Sequence, residues 1–260
     1  MIDTHCHLTY SPLCDRIDTV IAEARDAGVH RMISVGTTPD DATRAASLAA
    51  AYDPLFATVG LHPNYSGEFT DQAALTAAMH TLADHPKVVA FGEMGLDCHY
   101  PDPPLDRQRP MFACQLDAVT AYPKPMPVII HNRKATDAVL AMIRESTIPG
   151  DRFVFHCFTG SAAELRQILD LGAMVSLTGI ITFNSARDIA EASDMIPLDR
   201  LMIETDSPYL TPEPHRKVRP NEPKYVPHVA RFLASRRGMT EPDFVAAVDA
   251  NATRFFGLPA

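Results

Sequence analysis

The chain has 260 residues, 46% of them hydrophobic, and a formal net charge of −9 at pH 7. This length suits one α/β barrel of roughly 250 residues or two smaller domains, and no linker-like segment favours two. No apolar run approaches the ~18 residues that a membrane span needs. The negative charge argues against a protein that coats nucleic acid nonspecifically.

The five cysteines are scattered and form no Cys-x-x-Cys pair. An odd, scattered set indicates reduced thiols rather than a disulfide framework. The first predicted strand begins at residue 2, which leaves no room ahead of it for a secretory signal. We therefore expect a cytoplasmic protein that needs no membrane, and the sequence indicates no obligate protein partner.

Short, nearly continuous apolar runs alternate with helix-like segments along the chain. The predicted strands begin at residue 2 and continue at 31–36, 55–61, 88–93, 128–131, 153–156, 173–177 and 201–206. The predicted helices lie at 14–27, 39–51, 71–84, 105–120, 135–145, 162–171 and 186–195, followed by a Pro-rich loop at 208–227 and helices near 226–237 and 241–256. Eight strands buried on both faces and alternating with helices predict an α/β fold, a (β/α)₈ TIM barrel. We expect residues 1–260 to form a single barrel domain with the C-terminal helices packed outside.

Metal-competent side chains stand at the carboxyl ends of five predicted strands. They are His5 and His7 on the first strand, Glu93 on the fourth, His131 on the fifth, His156 on the sixth and Asp206 on the eighth. His5 and His7 share a face because alternate side chains on a strand point the same way. The carboxyl ends of barrel strands meet at one mouth, so these side chains are expected to converge there.

Each of these residues also has a structural alternative. His131 or His156 would serve as a satisfied core histidine, Glu93 as a helix cap, and Asp206 as the N-cap of a turn before Pro208. Burying the whole set without neutralising partners is costly, so shared metal ions explain it better. Four imidazoles and two carboxylates exceed the needs of one tetrahedral ion and favour two divalent ions bridged by a carboxylate, for which Glu93 is the candidate.

The sequence resembles the TatD family of metal-dependent deoxyribonucleases, within the amidohydrolase-like barrels. The matching segments are IDTHCHL at 2–8, VGLHP at 59–63, GEMGLD at 92–97, PVIIH at 127–131, FHCFTG at 155–160, ETDSPYL at 204–210 and NEP at 221–223. The resemblance implies a (β/α)₈ barrel, a magnesium-dependent phosphodiesterase acting on DNA, and 3′ to 5′ exonuclease activity. Carried over by position, it assigns the metal ligands to the same six residues.

Three residues are predicted to take part in catalysis. We expect Asp206 to accept the proton of the attacking water and Glu93 to bridge the two ions. His62, which ends the third predicted strand, would hold a phosphate or donate a proton; the alternative is a turn residue before Pro63. Magnesium is the expected metal, and zinc or manganese are alternatives.

Three arginines, together with His62, are candidates for substrate binding. Arg133 follows His131 and would meet a phosphate, unless it is a solvated residue at a helix start. Arg216 and Arg219, in the last loop, would line the groove or remain exposed. Tyr209 would either stack on a base or pack against the protein.

These observations leave three functions open. The first is a metal-dependent deoxyribonuclease that hydrolyses single-stranded DNA through water activated by two metals. The second keeps the site and changes the substrate to an ester or amide, as in an aminoacyl-tRNA deacylase, because activated water attacks carbonyl carbon as well as phosphorus. The third is a non-catalytic binding protein on a barrel scaffold, which the complete set of six ligands disfavours.

Overall fold

Eight parallel strands form one sheet in which every strand pairs with the next along the chain. The structure is a computed structural model that describes residues 1–259. The strands are β1 (Ile2–Cys6), β2 (Arg31–Ser34), β3 (Leu55–Val59), β4 (Val88–Asp97), β5 (Val128–Arg133), β6 (Phe153–Phe155), β7 (Met174–Leu177) and β8 (Leu201–Ile203). Nearly all of their residues are buried, which explains the continuous apolar runs in the sequence.

The sheet closes between β1 and the segment that follows β8. The backbone N–H of His7 donates to the carbonyl of Ser207 at 2.7 Å, and that of Asp206 donates to the carbonyl of His5 at 2.9 Å. Cys6 and Ser207 form the parallel bridge between these two segments. The predicted (β/α)₈ barrel is thereby confirmed.

Seven helices alternate with the strands and two more follow the last one. They are α1 (Ile17–Asp26), α2 (Pro39–Ala51), α3 (Gln72–Ala83), α4 (Leu105–Ala121), α5 (Thr136–Glu145), α6 (Ala162–Asp170), α7 (Arg187–Ser193), α8 (Val226–Arg236) and α9 (Glu241–Phe256). Side-chain caps start several of them, such as Thr38 on α2, Asp71 on α3 and the Ser161–Glu164 capping box on α6. Among residues 1–259, none of the helices combines the length and the apolar character needed to cross a membrane.

Helix α9 lies against the amino ends of β1 and β8. Asp249 accepts a hydrogen bond from the backbone N–H of Ile2 at 2.8 Å. Asn251 donates to the carbonyl of Leu201 at 2.8 Å. The C-terminal helices therefore pack outside the barrel as predicted, and α9 covers the end opposite to the candidate site.

The apolar core has two layers. The inner layer takes at least one side chain from every strand and is completed by residues at the end of α9: Ile2, Ile33, Val35, Phe56, Ala90, Ile129, Val154, Met174, Met202, Ala252, Phe256 and Leu258. The larger outer layer lies between the sheet and the surrounding helices. Apolar side chains therefore fill the amino-terminal half of the barrel, and the six predicted metal ligands lie beyond them at the carboxyl-terminal end.

The ends of β4 and β8 depart most from their predictions. Strand β4 continues past Glu93 to Asp97, although Gly92 and Gly95 lie within it and glycine weakens a strand. Gly95 adopts φ +147°, and a Cβ at this position would meet the carbonyl oxygen of His131 at 2.0 Å. The glycine thus permits the close approach of β4 to β5. Strand β8 ends at Ile203, three residues earlier than predicted.

Candidate metal centre

All six predicted ligands converge at the carboxyl end of the barrel. Above them opens a cavity of about 780 Å³, lined by residues from the loops that follow the strands. Five of the six line this cavity directly, and His5 lies fully buried beneath it. The distances between their nitrogen and oxygen atoms separate into two groups that share Glu93.

The first group surrounds Nε2 of His5 and Nε2 of His7, which lie 3.3 Å apart. Glu93 Oε2 is 3.3 Å from the His5 nitrogen and 3.9 Å from that of His7. Asp206 Oδ1 is 3.3 Å from the His7 nitrogen and 3.7 Å from that of His5. Two nitrogens and two carboxylate oxygens therefore face one point.

The second group surrounds the other carboxylate oxygen of Glu93. Oε1 lies 2.7 Å from Nδ1 of His131 and 2.7 Å from Nε2 of His156. Nε2 of His62 approaches the same oxygen at 3.4 Å. Glu93 thus presents one oxygen to each group, which is the arrangement a bridging carboxylate requires.

The chemistry of these atoms, and the closest spacings in the first group, fit a divalent cation. Two ligands bound to one ion at about 2.1 Å lie about 3.0 to 3.4 Å apart at tetrahedral or octahedral angles. Nε2 of His5 lies 3.3 Å from Nε2 of His7 and 3.3 Å from Oε2 of Glu93, and both distances fall in this range. Zn²⁺, Mn²⁺ and Mg²⁺ differ in how strongly they prefer imidazole nitrogen or carboxylate oxygen as a ligand. Because the set offers both kinds of atom, it accommodates any of the three ions.

His131 is held between two carboxylates. Its Nε2 lies 3.0 Å from Oδ2 of Asp97, and its Nδ1 faces Glu93. Asp97 also accepts the backbone N–H groups of His99 and Tyr100, so the carboxylate itself is fixed. A carboxylate on the far nitrogen orients a ligating histidine and raises its basicity toward the metal.

Glu204 stands behind His156 in a similar way. Its Oε1 accepts the backbone N–H of Cys157 at 2.7 Å and lies 3.4 Å from Nδ1 of His156. Its Oε2 accepts the hydroxyl groups of Ser176, at 2.5 Å, and Thr4. Four neighbouring groups, from β1, β7 and the segment after β6, therefore hold a fully buried acidic side chain next to the centre.

Asp206 reaches the centre by a route that strand alternation does not provide. The prediction that Asp206 ends the eighth strand is wrong, because β8 ends at Ile203. Asp206 instead adopts a left-handed backbone conformation with φ +53°. Asp and Asn tolerate this conformation better than most residues, and here it turns the carboxylate toward His7.

One ring nitrogen of His62 accepts a hydrogen bond from within its own loop. Its Nδ1 accepts the backbone N–H of Asn64 at 3.1 Å, so in the neutral ring the proton resides on Nε2. Burial lowers the pKa of His62 to about 4, which keeps the ring neutral at pH 7. The tautomer makes Nε2 a donor directed at the centre, and this distinguishes His62 from the other four histidines.

Both carboxylates of the centre are ionised. Burial alone raises the pKa of Glu93, but the surrounding histidines, His156 foremost, outweigh it and hold that pKa well below its ordinary value. Burial also raises the pKa of Asp206, and the hydrogen bond with His7 brings it below the usual range. Negative charge on both groups is the state that binds a cation.

The cationic residues divide into two sets. Arg133 and its neighbour Lys134 line the cavity. Arg216 lies over the ring of Phe183 at 3.5 Å, and Arg219 donates to three oxygens of its own loop. The structure does not bring Arg216 and Arg219 into the cavity lining, so their role in substrate binding stays a prediction without support from the cavity geometry.

The sequence interpretation missed three residues of this region. Asp97 and Glu204 lie inside motifs already identified, at 92–97 and 204–210, where an acidic residue close to a predicted ligand was the available signal. Lys134 follows Arg133 directly and carried no signal beyond its charge.

A parallel (β/α)₈ barrel with clustered histidines and carboxylates at its carboxyl end defines a metal-dependent hydrolase. The chain belongs to the TatD-related DNase family, whose family model matches residues 2–257. An uncharacterized metal-dependent hydrolase, YabD of Bacillus subtilis, is 38% identical over 99% of both chains. The Klebsiella pneumoniae protein named 3′-5′ ssDNA/RNA exonuclease TatD is 38% identical over 99% of this chain and 98% of its own. The solved structure of YjjV, a TatD homologue from Escherichia coli, superposes with a TM-score of 0.92 at 29% identity, covering 100% of this chain and 98% of its own.

Proposed function

We propose that this hydrolase is a deoxyribonuclease that removes nucleotides from the 3′ end of single-stranded DNA. The observation that carries the proposal is the position of Glu93, whose two oxygens face separate ligand groups beneath a cavity that Arg133 and Lys134 line. In a chain with a net charge of −9, two cations at this opening favour an anionic substrate. A relative of 38% identity is named for 3′-5′ exonuclease activity on single-stranded DNA and RNA.

The cofactors of this proposal are two divalent ions, with magnesium expected. His5, His7, Asp206 and Glu93 would hold one, and His131, His156 and Glu93 the other. Two such ions polarise a phosphoryl oxygen, lower the pKa of water and stabilise the leaving oxygen. Glu93 fixes the spacing of the two groups because both of its oxygens are engaged.

Three side chains act directly on the substrate or on water. Asp206, ionised and only partly buried, accepts a proton from the attacking water. His62 donates the hydrogen on Nε2 to a phosphoryl oxygen, because Asn64 holds its other nitrogen. Arg133 neutralises the phosphate backbone at the cavity wall.

The free thiols support a proposal about the compartment. All five cysteines are free, and unpaired thiols persist in a reducing compartment. We therefore propose that the enzyme acts in the cytoplasm.

The test compares substrates and metals. A 5′-labelled single-stranded DNA, the matching duplex, the RNA of the same sequence and an aminoacyl ester are each incubated with the protein after chelation and after re-addition of Mg²⁺, Mn²⁺ or Zn²⁺. We expect metal-dependent shortening of the single strand from its 3′ end. Metal-dependent hydrolysis of the aminoacyl ester without cleavage of DNA would overturn the proposal in favour of a deacylase.

A further inference from the structure

Two tyrosines are exposed to solvent, although most large apolar side chains of the protein are buried. In the part of the chain from residue 1 to 259, only Tyr100, Tyr209 and Val218 are large hydrophobic residues with high exposure, and the two tyrosines are 48% and 50% exposed. Both tyrosines line the cavity above the metal centre. The exposed aromatic surface of the protein is therefore concentrated at one site.

The two rings come from segments that follow opposite strands of the barrel. Tyr100 lies in the loop after β4, and Tyr209 lies in the segment after β8. Strands four apart in an eight-stranded barrel are diametrically opposed, and the sheet runs in strict order from β1 to β8. The Tyr209 ring centroid lies 6.3 Å from that of His7, and Tyr100 lines the same cavity.

Each tyrosine is tied through its backbone to a carboxylate residue of the centre. The N–H of Tyr100 donates to Oδ1 of Asp97 at 3.2 Å. The N–H of Tyr209 donates to the carbonyl of Asp206 at 2.9 Å. The backbone of each tyrosine is thereby held beside the reacting groups, as a substrate-positioning surface requires.

The chemistry around the rings suits nucleotides better than a protein partner. The Arg133 guanidinium lies 5.2 Å from the Tyr100 centroid and occupies one side of that ring. Neither phenol hydroxyl makes a hydrogen bond within residues 1–259. The rings are separate rather than a continuous apolar patch, and cations lie beside them, as in sites that stack bases and follow a phosphate backbone.

We propose that Tyr100 and Tyr209 are stacking platforms for the two bases that flank the scissile phosphate. This inference rests on the proposed nuclease function and specifies its substrate as an unpaired 3′ end of any sequence. Every base offers a flat π-face, so stacking selects for unpaired nucleotides without reading their identity. A paired base would have to leave its duplex before it reached either ring.

The experiment uses single strands that carry an abasic analogue at the 3′-terminal or the penultimate nucleotide. With the metal-loaded enzyme, we expect each missing base to lower kcat/KM by about 5- to 100-fold. Tyr100→Ala is expected to abolish this discrimination at one position and Tyr209→Ala at the other, while the phenylalanine variants retain it. Tyr52→Ala, which alters a tyrosine outside the cavity, is the matched control and should behave like the parent.

A binding measurement separates this inference from the proposed function. Single strands with 2-aminopurine at the same positions are titrated with the protein in chelator, where stacking quenches the fluorescence without cleavage. Quenching that is lost in the alanine variants supports the platforms even if no nucleic acid is hydrolysed. The inference is overturned if the enzyme hydrolyses normal and abasic strands equally well. It is also overturned if the parent protein does not quench the fluorescence.

Discussion

Oδ2 of Asp97 lies 3.0 Å from Nε2 of His131, on the side of the ring that faces away from Glu93. The carboxylate comes from the last residue of β4 and the histidine from the neighbouring β5. The pairing fixes the ring plane of His131 and leaves Nδ1 directed at the centre. Asp97 is therefore a positioning residue, and its effect should be visible in metal affinity.

We expect Asp97→Asn to lower the affinity for a divalent ion by about 10- to 100-fold. The amide retains an acceptor for the loop N–H groups, but it lacks the charge that makes His131 a stronger ligand. Calorimetric titration of the metal-free protein with Mn²⁺ or Zn²⁺ gives affinity and stoichiometry together. Asp84→Asn, at an exposed residue paired with Lys124, is the control. Equal affinities for both variants would show that Asp97 does not tune the site.

The sequence predicted the strand-borne part of the centre well. His5, Glu93 and His131 lie on β1, β4 and β5, and the common direction of parallel strands brings their carboxyl ends together, although the pairing shifts register beside His5 and Glu93. Apolar periodicity indicated those strands because both faces of the barrel are buried. The convergence of these residues thus follows from local patterns and one topology rule.

The loop-borne part depended on interactions that no local pattern encodes. Asp206 arrives through a left-handed residue and a backbone contact with β1, so its position followed from barrel closure rather than from its strand. Arg219 satisfies its guanidinium inside its own loop, and Arg216 packs on Phe183. The positive charge of these arginines was the only basis for predicting that they line the cavity. The contacts that engage them elsewhere are visible only in the folded structure.

The close contact of β4 with β5 predicts a large difference between two glycine substitutions. Gly95→Ala would place a Cβ 2.0 Å from the carbonyl oxygen of His131 at φ +147°. Gly28→Ala carries a similar left-handed penalty at φ +86° but meets no atom within 4 Å. We expect Gly28→Ala to lower the free energy of unfolding by about 1–2 kcal/mol and Gly95→Ala by about 3 kcal/mol or more.

Denaturant unfolding of the two glycine variants and the parent measures this difference. Since Gly95 lies against a proposed ligand, its variant should also lose metal affinity, whereas the Gly28 variant should bind as the parent does. Similar unfolding midpoints for both variants would mean that the strands move apart at little cost.

The two sets of arginines predict different salt dependences for binding single-stranded DNA. Arg133→Ala should weaken binding and reduce the slope of log affinity against log salt concentration by about 0.7, the value for one lost phosphate contact on a single strand. Arg219→Ala should leave the slope unchanged, because its guanidinium already donates within its loop. Fluorescence anisotropy across a salt series in chelator measures both. A reduced slope for Arg219→Ala would place that residue on the DNA path after all.

The role of Asp206 as the proton acceptor predicts that its charge matters to the reaction and not to the fold. Asp206→Asn keeps the size of the side chain, and asparagine tolerates the left-handed conformation at φ +53° at least as well as aspartate. We expect hydrolysis of single-stranded DNA to fall by about a hundredfold or more. The melting temperature of the metal-free protein should change by only about 3 °C or less.

Single-turnover cleavage at saturating Mg²⁺ isolates the chemical step from substrate binding and from metal affinity. Asp194→Asn, which changes an exposed aspartate paired with Arg236, controls for the loss of one negative charge. If Asp206 only supported the turn before Pro208, asparagine would replace it as a cap and the rate would stay within a few-fold of the parent. In that case another group must accept the proton. Glu93 is the remaining ionised carboxylate facing both ligand groups, so Glu93→Gln would be the next variant to measure.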